Sequence, residues 1–199
     1  MGLREKKAQR NRDRIVSEAL QLFARDGYEQ TTMESIAEAA EVSPSTLYRY
    51  FPSKEQIILA RYLAFSKEFA ALFAAHAAAH PVDEALAHAI FTALDKEDEE
   101  REETLLVRSI LDRSPIPRAR LWDYLDEQQH LLAQQIALRL DTAEDDLRVV
   151  LTARLAILIV GTAADIWRAE GGAGSGRARA LEVMRLFQQQ AVILPHPPR

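Results

Sequence analysis

The sequence predicts an all-α fold of about nine helices, an N-terminal three-helix module followed by a larger helical body. Three observations predict it. Apolar residues recur at three- and four-residue spacing almost everywhere, the period of a helix that buries one face. No stretch of alternating β-branched residues with hairpin turns is present. Proline, glycine and Ser/Thr/Asp start signals cut the pattern into segments of ordinary helix length.

The first helix is expected over about 7–26, with Ile15, Ala19, Leu22 and Phe23 on one face and Gly27 as a left-handed cap. A short second helix follows Thr31-Thr32. Thr31 and Glu34 stand at capping-box spacing, Thr32 caps the helix, and Ile36, Ala37 and Ala40 are its apolar positions. Ser43-Pro44 repeats the start signal, a serine cap with proline at the first helical position, and Pro52 stops this third helix after about two turns. Ser53 and Gln56 form another capping-box pair at the head of a long helix to about Ala78, striped by Ile58, Tyr62, Phe65, Phe69 and Leu72. Pro81 opens a helix to about Leu94, and the acidic run 95–103, read as a solvated helix start, leads into one ending near Arg113. Ser114-Pro115-Ile116-Pro117 then breaks the chain. Helices over about 118–140 and 144–170 follow, then a glycine-rich linker at 171–176 and a last helix over about 177–191. The closing His196-Pro197-Pro198-Arg199 has the composition of an unstructured tail.

Charge is unevenly placed along this frame. The net charge is −5, which taken alone disfavours a polyanionic partner. Residues 1–14, however, carry Arg4, Lys6, Lys7, Arg10, Arg12 and Arg14 against only Glu5 and Asp13, so a basic head precedes an acidic body. The absence of cysteine excludes disulfides and thiolate metal sites and fits a reducing cytoplasm, where the protein is expected. The N-terminus is charged, unlike a signal peptide, and the longest uncharged stretch, 69–82, is too short to span a bilayer, so no membrane association is expected.

Two short helices joined by a tight turn, the second opening with hydroxyls and carrying aromatics, are the parts of a DNA-reading helix-turn-helix. The string Thr32, Ile36-Ala37, Ala40, Val42-Ser43, Thr46-Leu47-Tyr48, Tyr50-Phe51 and Lys54-Glu55 closely resembles the signature of the tetracycline-repressor (TetR) family over about residues 10–58. The resemblance implies a helix-turn-helix domain over 1–52 and an effector-binding and dimerisation domain over 53–199. It further implies a ligand-responsive transcriptional regulator, expected as a repressor, that binds a palindromic double-stranded DNA operator as a homodimer through its last two helices. The alternative is a constitutive architectural DNA-binding protein without an effector.

Ile36, Ala37, Ala40, Val42, Leu47 and Phe51 are the positions expected to pack the small core. Ser45, Thr46 and Tyr48 are the expected base readers, since hydroxyls meet either donors or acceptors in the major groove. Ser43 is the cap. Pro44 offers an apolar surface to a thymine methyl, or simply starts the helix. The resemblance assigns Tyr48, Tyr50 and Lys54 to phosphate contact, and Thr32 can both cap its helix and approach the backbone. Tyr50 can instead belong to the core. Arg49 can read guanine or bind phosphate, and the tail before residue 14 either reaches DNA or stays solvated. One departure stands in the turn, where Glu41 replaces the glycine that the family usually carries. Held left-handed, it costs on the order of 1 kcal/mol, and as an acid it is expected to point away from the duplex.

In the body, the run Leu155–Ala164 has no charge and is expected to be buried on both faces, against the domain and against a partner, with Gly161 and Ala164 allowing close approach to Leu181, Met184 and Phe187. Phe65, Phe69, Phe91, Ile110, Trp122, Leu125 and Trp167 are the candidate ligand-lining residues, although such side chains are as readily plain core. Arg154, among Leu151, Leu155 and Leu158, is expected to be a buried cation that pairs with an internal acid or an anionic ligand. The Ser-Pro-Ile-Pro break followed by Trp122 resembles a TetR subgroup that includes the mycofactocin regulator. This implies an effector such as an acyl thioester or another amphipathic acid. His76 and His80 have metal-ligand spacing, but with no cysteine, no clear carboxylate partner and Pro81 ending the helix, no metal or cofactor is expected. Nor is an enzyme expected, since a glycine-rich phosphate loop, a nucleophile elbow and a zinc triad are all missing.

Overall fold

The computed structural model describes residues 2–193, so the tail at 196–199 lies outside the described residues. Among the described residues there are eleven helical segments and no strand. In order they are α1 (Leu3–Asp26), α2 (Met33–Ala39), α3 (Pro44–Tyr50), α4 (Lys54–Ile58), α5 (Ala60–Ala77), α6 (Val82–Glu99), α7 (Arg101–Arg113), α8 (Pro115–Ala119), α9 (Leu121–Leu140), α10 (Leu147–Ala169) and α11 (Gly176–Gln188).

The two segments beyond expectation have local causes. The long helix expected after Ser53 is interrupted at Leu59, where Ile57, Ile58, Leu59 and Ala60 are all buried. Four consecutive residues sweep about 300° around a helix axis, so an unbroken helix would turn one of them outward. The expected Ser53–Gln56 capping box does not form, because Ser53 makes no cap hydrogen bond and its hydroxyl serves the Glu55 carboxylate instead. Burial pushes that carboxyl up, but the hydrogen bonds from Ser53 and the backbone, with the Lys54 charge, outweigh it and hold the group below its ordinary range. The Ser-Pro-Ile-Pro segment is not a plain break either. It forms α8, since proline in the first turn lacks only an N–H that would have no intrahelical partner.

Packing divides the chain into two compact units, Met1–Ala64 with Glu102–Tyr124, and Phe65–Arg101 with Leu125–Arg199. In the first, Ile15, Phe23, Ile36, Leu47 and Phe51 form the core expected for the three-helix module, and Ile57, Val107, Ile110 and Leu111 from α4 and α7 join it. A boundary after residue 52 therefore does not follow the packing. A three-helix module in which α2 and α3 have only 7 residues each buries little apolar surface by itself, and α4 and α7 cover what it leaves open.

The second unit packs α5, α6, α9, α10 and α11 around Phe69, Phe73, Leu94, Leu132, Ile136 and Val160. Alanines at 85, 89, 163 and 180 are buried in it, which lets helix axes approach closely. Gly176 opens α11 with its N–H on the Asp98 carboxylate at 3.1 and 3.2 Å, and a Cβ there would stand 3.3 Å from that of Leu94. Helix α10 is long and apolar enough to cross a membrane by length and composition, yet 44% of its most apolar stretch is buried inside the protein, as in a core helix. Only one of its faces is covered. Val149, Ala153, Ile157, Val160 and Ala164 are buried, whereas Leu147, Leu151, Leu155 and Leu158 are 69, 56, 39 and 54% exposed.

Candidate nucleic-acid interface

Helices α2 and α3 are each started by a side-chain cap. Thr32 accepts from the Ser35 N–H at 3.0 Å, and the Thr32 N–H donates to the Ser35 hydroxyl at 3.1 Å, so the reciprocal box forms one residue later than the expected Thr31–Glu34 pair. Thr31 is buried and donates to the Gly27 carbonyl at 2.8 Å. Ser43 caps α3 by accepting from the Thr46 N–H at 3.2 Å, with Pro44 at the head of the helix. Between the helices Glu41 takes φ +48°, the left-handed conformation that its position in the turn imposes. Its carboxylate lies 3.3 Å from Arg14 of α1.

Helix α3 buries only Leu47. Ser43, Pro44, Ser45, Tyr48 and Arg49 are exposed, and Thr46 is half-buried. The three hydroxyls form one cluster: Ser43 donates to Thr46 at 2.8 Å and lies 3.0 Å from Ser45. They are thus satisfied among themselves yet sit at the surface, ready to exchange partners. Tyr48 is 46% exposed. Tyr50 is half-buried against the core, with the Arg49 guanidinium 5.6 Å from its ring. Lys54 is engaged elsewhere, donating to the carbonyls of Tyr28 at 2.8 Å and Glu29 at 3.4 Å and lying 4.6 Å from the Tyr28 ring.

A second basic feature lies on α1, which begins earlier than expected and so makes the basic head helical. Lys7, Arg10, Asn11 and Arg14 line an open groove of about 570 Å3. Their spacing of three, one and three residues puts them on one face of the helix. Periodicity in the basic residues carried this signal, but the apolar stripe used to place the helix starts only at Ile15. Arg12 turns the other way, 4.4 Å from the Phe51 ring.

The candidate ligand-lining residues do not form one group. Phe69 is in the core of the second unit, Phe65, Phe91 and Leu125 pack against it, and the rings of Phe65 and Phe69 are 5.7 Å apart. Trp167 is 1% exposed, and its indole N–H is buried without a partner. Ile110 lies instead in the core of the first unit, and Trp122 is 75% exposed. Arg154 is exposed as well. The argument from a buried cation therefore fails, because the leucines around Arg154 form the uncovered face of α10 rather than an interior.

Comparison with known proteins bears on this geometry. Residues 15–60 match the family described as bacterial regulatory proteins, tetR family. The chain is 35% identical over 151 residues to the HTH-type transcriptional regulator TcmR of Streptomyces glaucescens, covering 73% of this chain and 67% of that one. Among solved structures, a putative TetR-family regulator from Syntrophomonas wolfei superposes with TM-score 0.69 at 19% identity, covering 94% of this chain and 97% of that one. The Thermus thermophilus repressor FadR, solved in complex with lauroyl-CoA, superposes with TM-score 0.57 at 24% identity over 94% and 98%. The first relative shares sequence across both units, whereas the two structures share the fold. Its helix-turn-helix, its family match and its relative named as a regulator together make this chain a transcriptional regulator rather than an enzyme, and it belongs to the TetR family.

Proposed function

We propose that the protein is a homodimeric repressor that occupies a palindromic operator and leaves it when an amphipathic acid or acyl thioester binds in the second unit. The observation that carries the first half is the exposure of α3, which turns Pro44, Ser45, Tyr48 and Arg49 outward while Leu47 alone anchors it. Ser45, Thr46 and Tyr48 read base edges in the major groove, and Pro44 meets a thymine methyl. Thr32, Tyr50 and the α1 stripe hold phosphates. Lys54 serves phosphate contact only by giving up its carbonyls, so its first role is to fix the loop after α1.

Dimerisation is supported by the uncovered leucines of α10 and by Gly161. A glycine inside a helix costs about 1 kcal/mol relative to alanine, and among the described residues nothing beyond its chain neighbours and its own helix backbone lies within 4 Å of the Cβ that it lacks. A partner helix packed close to it gives that glycine a reason. The effector class is supported by the lauroyl-CoA bound to the structural neighbour FadR. Phe65, Phe69, Phe91 and Leu125 offer the apolar lining, and the unpartnered Trp167 N–H offers a donor for a carbonyl oxygen. Release follows if the effector changes the separation of the two recognition helices, whose half-sites lie about 34 Å apart per helical turn. Fluorescence anisotropy on DNA from upstream of its own gene, titrated with acyl-CoAs of graded chain length, tests both halves. Saturable binding reversed by one range of chain lengths is expected. Binding that no acyl-CoA or fatty acid reverses would leave a constitutive DNA-binding protein.

A further inference from the structure

The second unit holds a histidine cluster for which operator binding has no use. Three of the chain's five histidines meet at the hairpin between α5 and α6. His76 is sandwiched between His80 and His88, with ring centroids 4.1 Å apart in each pair and planes inclined by 5° and 13°. Glu84 completes the group, its Oε2 lying 3.4 Å from Nδ1 of His80. In sequence the four residues fall at 76, 80, 84 and 88. His76 lies in the last turn of α5, Glu84 and His88 stand one turn apart on α6, and His80 lies in the connection, its N–H donating to the His76 carbonyl at 3.2 Å. Pro81, which counted against a metal site when only His76 and His80 were in view, is the corner that folds Glu84 and His88 back onto them.

The geometry points to a binding site for one divalent transition ion, Zn2+ or a neighbour of similar ligand preference, formed by His76, His80, His88 and Glu84. Imidazole and carboxylate donors suit such ions. Among the described residues no three such groups already converge on a metal position, because stacked rings direct their nitrogens side by side. Metal binding therefore requires the two outer rings to unstack from His76 and swing about their side-chain torsions. Ligands at 2.0–2.1 Å from a tetrahedral zinc stand about 3.3 Å from one another, which the His80 and Glu84 pair already matches at 3.4 Å. His80, Glu84 and His88 are exposed, so they can tilt toward half-buried His76 without disturbing the core. The bound ion would tie the end of α5 to α6, and the site stands independently of the operator and effector readings.

The test uses the full-length chain without an affinity tag, stripped with chelator, dialysed and titrated with Co2+ and then Zn2+. Calorimetry and visible absorption are expected to show one equivalent bound at micromolar concentration, with the intense bands of tetrahedral cobalt lost when zinc displaces it. Zinc is also expected to raise the unfolding midpoint, because it binds the folded form alone. The double variant His80→Gln/His88→Gln, altered only at exposed positions and checked for unchanged helicity, is expected to bind at least about tenfold more weakly and to lose the zinc-induced shift. A wild-type chain that takes up no stoichiometric metal would overturn the site. So would a double variant that binds as tightly as wild type, since the ion would then be held elsewhere, for instance at His130 or His196.

Discussion

At the scale of single residues, Glu41 shows how a local conflict is settled by its surroundings. A non-glycine side chain at φ +48° is strained, and its ion pair with Arg14 is too exposed, at 42 and 81%, to repay much of that strain. Glu41→Gly is therefore expected to stabilise the fold by up to about 1 kcal/mol and to tighten DNA binding by removing a negative charge beside the recognition helix. Denaturant unfolding and anisotropy at fixed salt check the two effects, and a destabilised variant would show that the Arg14 pair matters more than the backbone. Glu41 was legible in the sequence because turn chemistry is local. Lys54 was less so: its alternative partners, the Tyr28 and Glu29 carbonyls, lie 26 and 25 residues away, and no spacing rule reaches that far. Arg154 failed for a related reason, since a leucine-flanked position looks buried in sequence whether the leucines face a core or an uncovered surface.

At the scale of elements, helix starts were read well at Ser43-Pro44, where a cap and a proline coincide, though not at Ser114-Pro115, where the same pairing opens α8. They were read less well where the core intervenes, as at the Leu59 break. Helix α10 carries two consequences. Asp146 caps it by accepting from the Arg148 N–H at 2.8 Å, and hydrogen bonds from the Arg148 side chain and backbone hold its carboxyl far below its ordinary value of 3.8. A depressed carboxylate contributes stability above the unfolded pKa and loses it as pH falls through the folded one. Asp146→Asn keeps a capping side chain but removes the charge. The wild type is thus expected to melt higher than the variant at pH 7, with the gap closing below pH 3.8; a gap independent of pH would show that the charge is not what matters. The second consequence concerns the uncovered leucines. Leu155→Glu/Leu158→Glu, at positions 39 and 54% exposed, is expected to leave the chain folded but monomeric in analytical ultracentrifugation and to weaken operator binding; a dimeric variant would move the interface off this face.

At the scale of the whole molecule, the order and class of the helices and the position of the helix-turn-helix were legible because each rests on local periodicity and caps. The grouping of helices into units was not. Val107, Ile110 and Leu111 join the core of the DNA-binding unit from more than 45 residues beyond the end of its helix-turn-helix, and nothing in their own spacing says which core they enter. The uneven charge was also legible, and it has a measurable outcome. A molecule of net charge −5 can hold DNA only through the local basic face, so its affinity is expected to fall steeply with salt, and less steeply when Lys7 and Arg10 are changed to alanine. The most direct test of the account compares wild type with Ser45→Ala/Tyr48→Ala for binding to the upstream DNA and to unrelated DNA of equal length at one salt concentration. The expected result is a specific affinity at least about tenfold lower, with non-specific affinity and thermal midpoint unchanged. Undiminished specific binding by the variant would contradict the assignment of α3 as the reading helix.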